Sequence, residues 1–229
     1  MVCEDFMSAK SALLTFEKTV ISAMDRSVDE WRRDLERTVA CLLEEWNASQ
    51  ERRASIAYAI GYCFFHMPGR EKRAFEEAEL WFKKAIQLDP VNMFSVYYLG
   101  CLYFEFDKPR ESESYLMRIP PDWFKARDLV WREEKRKEIL LCIRLILEET
   151  PVSEDEISAA MSLHYADPAE EVWPLPSELV ATMVRLRGKS PVTFRRLAPV
   201  LVKELKATGL NEVFSDEISI LRSGSRGLP

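Results

Sequence analysis

The sequence predicts an all-α protein, on the strength of three observations. Apolar and small residues recur at helical spacing along most of the chain, as at Ala78, Phe82 and Ala85. The 229 residues include only 7 glycines and 12 prolines beside many Ala, Glu, Leu and Arg residues, a composition that favours helices. Two capping boxes, each a serine followed three residues later by a glutamate, mark helix starts. A hydrophobic content of 47% and a charged content of 31% are ordinary for a folded globular protein.

Two helices are predicted before residue 50. Residues 4–24 carry small and apolar side chains at helical spacing. Ser27 with Glu30 forms the first capping box, so a second helix starts there and runs to Asn47. We expect these two helices to pack as an antiparallel pair.

Two further helix pairs are predicted up to residue 120. The first pair begins near Glu51, is interrupted at residues 66–69, and continues within Ala74–Pro90. Its second helix ends before Pro90, because the residue preceding a proline is pushed out of the α region. The second pair begins with a helix over about residues 93–106 and closes at Pro120.

The spacing of these two pairs is regular. Gly100 follows Gly61 by 39 residues, whereas Leu116 follows Phe82 by 34 residues. The five additional residues (39 − 34) must therefore lie in the turn of the earlier pair. We expect them within residues 66–73, where a Pro-Gly sequence predicts a loop.

Ala74–Pro90 closely resembles the second helix of a tetratricopeptide repeat. That family carries a small residue, an aromatic residue, another small residue and a final proline at intervals that Ala78, Phe82, Ala85 and Pro90 reproduce. The period of 34 residues is also the family's value. The resemblance covers roughly residues 52–120, and the later pair departs from the pattern by using Ser112, Leu116 and Ile119.

The resemblance implies a right-handed superhelix of antiparallel helix pairs, with extra helices at the C-terminal end. In that family the first helix of each pair lines a concave groove that binds other proteins. Counting from Gly61 and Gly100, the partner-binding residues are predicted to be Tyr58, Tyr62, Phe65, Phe94, Tyr97, Cys101, Phe104 and Glu105. The basic residues with which some members hold a C-terminal carboxylate are missing. An alternative is that the N-terminal helices or residues 150–209 fill the groove, which would make the aromatic side chains part of the core.

The remaining chain is predicted to be helical as well. A long helix capped by Asp122 is expected to reach about Glu149, with an exposed, charged middle at residues 132–138. Further helices are predicted over 153–165, 177–187 and 193–206, with Gly209 as a C-cap and a disordered tail from about residue 222. Two domains are expected: a tetratricopeptide-like domain over residues 1–150, and a helical extension over 151–229 that packs on it.

Charge is unevenly distributed in the C-terminal third. Residues 151–177 hold six acidic side chains and no Lys or Arg, whereas residues 178–209 hold seven basic side chains and two acidic ones. Pairing of the two segments within the chain would account for this pattern. A basic surface that binds an acidic partner is the alternative.

The composition excludes several classes of function. A net charge of −6 gives no general attraction to nucleic acid. The chain has no apolar run near the roughly 20 residues of a membrane span, and its acidic start differs from a signal peptide. Its five scattered cysteines are typical of reduced thiols, so a cytoplasmic location is expected. Cys63 and His66 offer only two of the four ligands of a closed zinc site, so neither a metal nor a cofactor is predicted.

Three hypotheses for the function follow. The preferred one is a non-catalytic, tetratricopeptide-like scaffold that binds a peptide or helix of a partner protein in its aromatic groove. The second is a dedicated cytosolic chaperone or immunity-type protein that masks one cognate protein. The third, ranked lower, is an enzyme that uses Cys63 and His66. The sequence does not indicate the oligomeric state.

Overall fold

The computed structural model describes residues 27–48, 50, 52–69, 72–162 and 175–225. This part of the chain is all-α, as predicted, and holds ten α-helices. They are α1 Val28–Ala48, α2 Arg53–Phe65, α3 Lys72–Leu88, α4 Met93–Glu105, α5 Pro109–Leu116, α6 Val130–Leu147, α7 Glu154–Ser162, α8 Ser177–Lys189, α9 Pro191–Ala207 and α10 Ser215–Ser225. The helix predicted over residues 4–24 lies outside the described residues.

Local capping chemistry sets several helix starts. The Ser27 hydroxyl accepts a hydrogen bond from the Glu30 backbone N–H, while the Glu30 carboxylate accepts one from the Ser27 N–H. Ser153 and Glu156 form the same reciprocal pair ahead of α7. Both predicted capping boxes are therefore confirmed. The Asn92 side chain caps α4 by accepting from the Ser95 N–H at 3.0 Å.

The contacts divide the chain into two compact units, Met1–Ile119 and Pro120–Pro229. In the first unit each of α1 to α4 packs against the next helix in the chain, and α2 also contacts α4. Sequential packing of helix pairs is therefore confirmed for this region.

Two glycines let the helices of each pair approach closely. A Cβ atom on Gly61 of α2 would lie 2.8 Å from the Phe82 ring of α3, and a Cβ on Gly100 of α4 would lie 2.6 Å from Leu116 of α5. Such distances are too short for any side chain, so both positions require glycine. The residues that face the two glycines are Phe82 and Leu116, which the 34-residue spacing predicted to occupy equivalent positions in the two helix pairs.

Helix α4 forms the centre of the first unit. Every residue from Ser95 to Phe104 is buried. A helix that is apolar on all sides belongs in a core rather than at a surface. By contrast, α3 buries one face through Phe75, Ala78, Phe82 and Ala85, and exposes its charged face to solvent.

The second unit is organised around α9, which contacts its neighbours in the chain and one helix further away. Helix α9 contacts α7, α8 and α10, while α6 packs against α8. The core here is mainly aliphatic, with fully buried side chains that include Ile143, Ile157, Leu179, Met183, Leu197 and Leu201. The boundary predicted near residue 150 stays a prediction, because compactness does not measure independent folding.

The long helix predicted from Asp122 is wrong. Asp122 and Asp128 both have φ of 57°, which places them in turns, and α6 begins only at Val130. Between them lie a short 3₁₀ helix, Lys125–Arg127, and the fully buried Phe124. The positive φ of Asp122 and of Asp128 interrupts the helix that was expected to run through both residues.

The exposed middle predicted for this helix is also wrong. Glu133, Arg136 and Glu138 are 0%, 7% and 8% exposed. Their burial is possible because Arg136 pairs with Glu133, and because Lys135 lies 2.9 Å from Glu138. Glu138 also accepts a hydrogen bond from the backbone N–H of Leu179 at the start of α8.

The helices predicted near 177–187 and 193–206 are confirmed, although a single residue, Ser190, separates α8 from α9. Gly209 has φ of 74°, and Leu210 N–H donates to the Leu205 carbonyl across it, so the predicted C-cap is confirmed. Helix α10 was not predicted, and it extends to Ser225, into the segment expected to be a tail. No helix among the described residues is both long and apolar enough to cross a bilayer.

Candidate partner-binding surface

Aromatic rings from α2 and α4 meet at one surface of the first unit. We define the α2–α4 aromatic cluster as Tyr58, Tyr62, Phe65, His66, Phe94 and Tyr98. Tyr58 lies at the junction of the two helices, with its ring 6.0 Å from that of Tyr62 and 5.9 Å from that of Phe94. The close approach of α2 to α4 follows from the packing of both helices on α3.

Tyr98 is the residue of this cluster that sequence reasoning missed. Its ring lies 4.9 Å from Tyr62, 5.3 Å from Phe65 and 6.0 Å, stacked, from Phe82. The Tyr98 side chain is 5% exposed, so it packs against the other rings and offers a partner almost no surface. The adjacent pair Tyr97-Tyr98 was the available signal, but the groove positions counted from Gly100 select only Tyr97.

The eight predicted binding residues fall into two groups by burial. Tyr58, Phe65 and Phe94 are half-buried and Glu105 is exposed. Tyr62, Tyr97, Cys101 and Phe104 are between 3% and 8% exposed. The second group therefore has little surface for a partner in this conformation.

His66 ends α2 among the aromatic side chains. Its ring lies 4.2 Å from Tyr62 and 4.9 Å from Phe65, and Trp31 of α1 approaches it at 6.5 Å. The apolar α2–α4 cluster thus continues toward α1. Ring contacts of this kind hold the half-buried side chains in place and add about 0.5–1.5 kcal/mol per pair.

Cys63 is a poor nucleophile in this setting. It is 0% exposed, and burial raises the pKa of its thiol to about 12. The thiolate, which is the reactive form, is therefore scarce at neutral pH. Among the residues that the structure describes, no group of three or more His, Cys, Asp or Glu side chains is arranged to hold a metal ion.

Comparison with known proteins gives no match: no family model fits the sequence, and no curated protein or solved structure is significantly similar to it. The described fold is all-helical, with sequential packing of helix pairs in residues 28–116.

Proposed function

We propose that the protein is a non-catalytic, tetratricopeptide-like scaffold that binds a peptide or helix of a partner protein through the α2–α4 aromatic cluster. Direct contact is assigned to Tyr58, Phe65 and Phe94, with Glu105 at the edge. Tyr62, Tyr97, Cys101 and Phe104 act beneath them as the rigid support.

The observation that carries this proposal is the half-burial of three large aromatic side chains on two adjacent helices. Tyrosine and phenylalanine are enriched in the cores of protein interfaces, because they bury much area and lose little conformational entropy. The rings around Tyr58 restrict its motion further, so little order has to be created on binding.

The chemistry of the surface fits an apolar partner segment. The rings of Tyr58, Phe65 and Phe94 offer half-buried apolar faces. An amphipathic helix or an extended peptide with apolar side chains would match these faces. The buried, high-pKa Cys63 favours binding over catalysis at this site.

The test is a double substitution, Tyr58→Ala with Phe94→Ala, in the full chain. Because both side chains are half-buried, we expect the substitutions to remove contact area for the partner while the protein stays folded. Partners that are enriched on wild-type protein from cells of the source organism should be identified by mass spectrometry. We expect the partner shared by replicate captures to lose at least tenfold in affinity, about 1.4 kcal/mol, when its purified form is titrated against the variant.

The matched control is Phe106→Ala with Tyr115→Ala. These side chains are also half-buried in the first unit, but their rings contact Phe75 and Tyr103 instead of the cluster. The proposal fails if the control weakens the partner as much as the cluster variant does. It also fails if the cluster variant binds like the wild type while its circular dichroism shows an intact fold.

A further inference from the structure

Helix α9 presents an exposed face with basic and apolar residues and no acidic ones. The residues on this face are Val192, Arg195, Arg196, Pro199, Lys203 and Lys206, all exposed. At 3.6 residues per turn they lie within an arc of about 100°, and they extend roughly 20 Å along the helix. We call this face the α9 basic stripe.

Acidic side chains within the described residues do little to neutralise the stripe. The only acidic residue of α9 is Glu204, which is 8% exposed and accepts a hydrogen bond from Ser158. Its carboxylate lies 4.0 Å from the Lys203 ammonium, whose side chain is 81% exposed. A pair at that distance and exposure contributes little.

Internal pairing of the acidic and basic segments is not found where it can be checked. Of the acidic residues in 151–162, Glu156 pairs with Arg144 of α6, and none forms an ion pair with the stripe. The other three acidic residues of 151–177 lie outside the described part of the chain. The described residues therefore favour the other expectation from the sequence, a basic surface for an acidic partner.

A cleft of about 380 Å³ opens beside the first turns of α9. It is lined by Arg144 and Glu148 of α6, by the connection at Pro151 and Val152, and by Thr193 and Arg196 of α9. Its size lies within the range of sites for small ligands, so it can receive one long side chain of a peptide.

Both arginines of the cleft are held in place by backbone carbonyls. Arg196 donates from Nη2 to the Val152 carbonyl at 2.7 Å, and Arg144 donates from Nη2 to the Pro151 carbonyl at 3.1 Å. A guanidinium group has five N–H donors. Arg144 also donates from Nη1 to Glu156 at 2.5 Å, so Arg196 is the arginine of the cleft with more donors left for a carboxylate.

Two carboxylates of the protein, Glu148 and the Glu156 that pairs with Arg144, oppose an anion in this cleft. Glu148 lines it and accepts a hydrogen bond from the Thr193 hydroxyl at 3.2 Å. Glu148 favours a ligand that brings a single carboxylate into the cleft and places its other charges along the stripe, away from Glu148.

We propose that the α9 basic stripe and this cleft bind an acidic peptide segment of a partner protein. One Asp or Glu side chain enters the cleft and binds Arg196, and further carboxylates lie along Lys203 and Lys206. Val192, which is 72% exposed, and Pro199 contact the apolar side chains between them. A nucleic acid would not use these apolar contacts, and the net charge of −6 would repel a long polyphosphate.

The experiment titrates the full chain with three fluorescein-labelled probes: a peptide of alternating Glu and Ala, its Gln-for-Glu counterpart, and oligodeoxythymidine. We expect only the Glu peptide to bind, with an affinity that falls as salt is added. Lys203→Glu with Lys206→Glu should weaken it by about tenfold, because two attractive contacts become repulsive. Glu148→Gln should tighten binding about threefold, since it removes one of the two opposing charges and keeps an acceptor for Thr193.

The matched control is Lys72→Glu with Lys125→Glu, two exposed lysines that give the same change in net charge. It should bind the Glu peptide within about twofold of the wild type. If it loses as much affinity as the stripe variant, net charge alone explains the effect and the proposal is overturned. Equal affinity for oligodeoxythymidine, or looser binding by Glu148→Gln, would overturn it as well. The variant Tyr58→Ala with Phe94→Ala should bind the Glu peptide normally, so this result is independent of the function proposed above.

Discussion

The two compact units differ in how their helices pack. In the first unit, α1 to α4 each pack on the next helix of the chain, and large aromatic rings fill the space between α2, α3 and α4. In the second unit, α9 packs on its neighbours α8 and α10 and also on α7, α6 packs on α8, and aliphatic side chains fill the core. The difference shows that contacts between neighbouring helices build most of the first unit, whereas the second unit depends equally on contacts between helices that are separated in the chain.

The units also differ in what they bury beside apolar groups. Helix α6 of the second unit buries the charged residues Glu133, Arg136 and Glu138. Burial raises the pKa of Glu138, although Lys135 and the Leu179 N–H oppose the rise. In the first unit, the buried polar groups of α3 to α5 are neutral, as with Ser112, whose hydroxyl donates to the Gly100 carbonyl at 2.8 Å. Buried charge pairs are therefore found in α6 of the second unit and not in α3 to α5 of the first.

The largest effect should come from removing one buried ring in each unit. Phe82 and Phe194 are 0% and 1% exposed, and each substitution to alanine should cost about 3–5 kcal/mol. Phe82→Ala should cost about 1 kcal/mol more, because its ring also stacks on Tyr98 at 6.0 Å. Hydrogen exchange at the amides of α3 and α9 measures both losses. If Phe82→Ala cost no more stability than Phe194→Ala, the proposed difference between an aromatic and an aliphatic core would be contradicted.

Glycine substitutions should have opposite signs in the two units. Gly100→Ala forces a Cβ atom to 2.6 Å from Leu116, so we expect a loss of about 1–3 kcal/mol. A Cβ on Gly188 of α8 meets nothing within 4 Å, so Gly188→Ala should stabilise the protein by about 0.5–1 kcal/mol. Urea unfolding of the two variants against the wild type tests this. A neutral Gly100→Ala would mean that α4 and α5 are not held at this distance.

The smallest effect should be the pH dependence of one ion pair in the second unit. Hydrogen bonds from Arg144 and from the Ser153 N–H lower the pKa of Glu156 to about 2 from its ordinary value of 4.5. The carboxylate therefore stabilises the fold above about pH 4.5, and this contribution is lost as the pH falls toward 2. Because the Glu156 side chain is 39% exposed, Glu156→Gln should cost at most about 1 kcal/mol at pH 7.

Thermal unfolding of Glu156→Gln at several pH values checks this prediction. The difference from the wild type should shrink between pH 4.5 and pH 2. Glu154→Gln, which makes the same change of charge in the same helix, is the control. A difference that stays constant with pH would show that the amide, rather than the charge, accounts for the cost.

The sequence predicted those features that depend on a few neighbouring residues. The capping boxes at Ser27 and Ser153 and the helix end before Pro90 follow from local chemistry, and all three are confirmed. The equivalence of Gly61 with Gly100 and of Phe82 with Leu116 was predicted from the two spacings, and in the structure each glycine faces the corresponding side chain of the next helix.

Features that depend on distant contacts were missed. Asp122 and Asp128 adopt left-handed conformations that break the expected helix, and Phe124 between them is fully buried, which the local sequence does not indicate. The charged run in α6 has the pattern of a solvated face, yet α8 covers Glu138 and supplies its hydrogen-bond donor. In the candidate site, the aromatic character of α2 and α4 was predicted, but the burial of Tyr97 and Phe104 was not.

Photo-crosslinking from the aromatic cluster tests the proposed function most directly. A photoreactive phenylalanine analogue would replace Tyr58 or Phe94 in the full chain, and Tyr115 in the control. The account predicts that positions 58 and 94 crosslink to the same segment of one partner protein, and that position 115 does not. Crosslinks from 58 and 94 that form only within the chain itself would contradict it, because the cluster would then be part of the protein's own core.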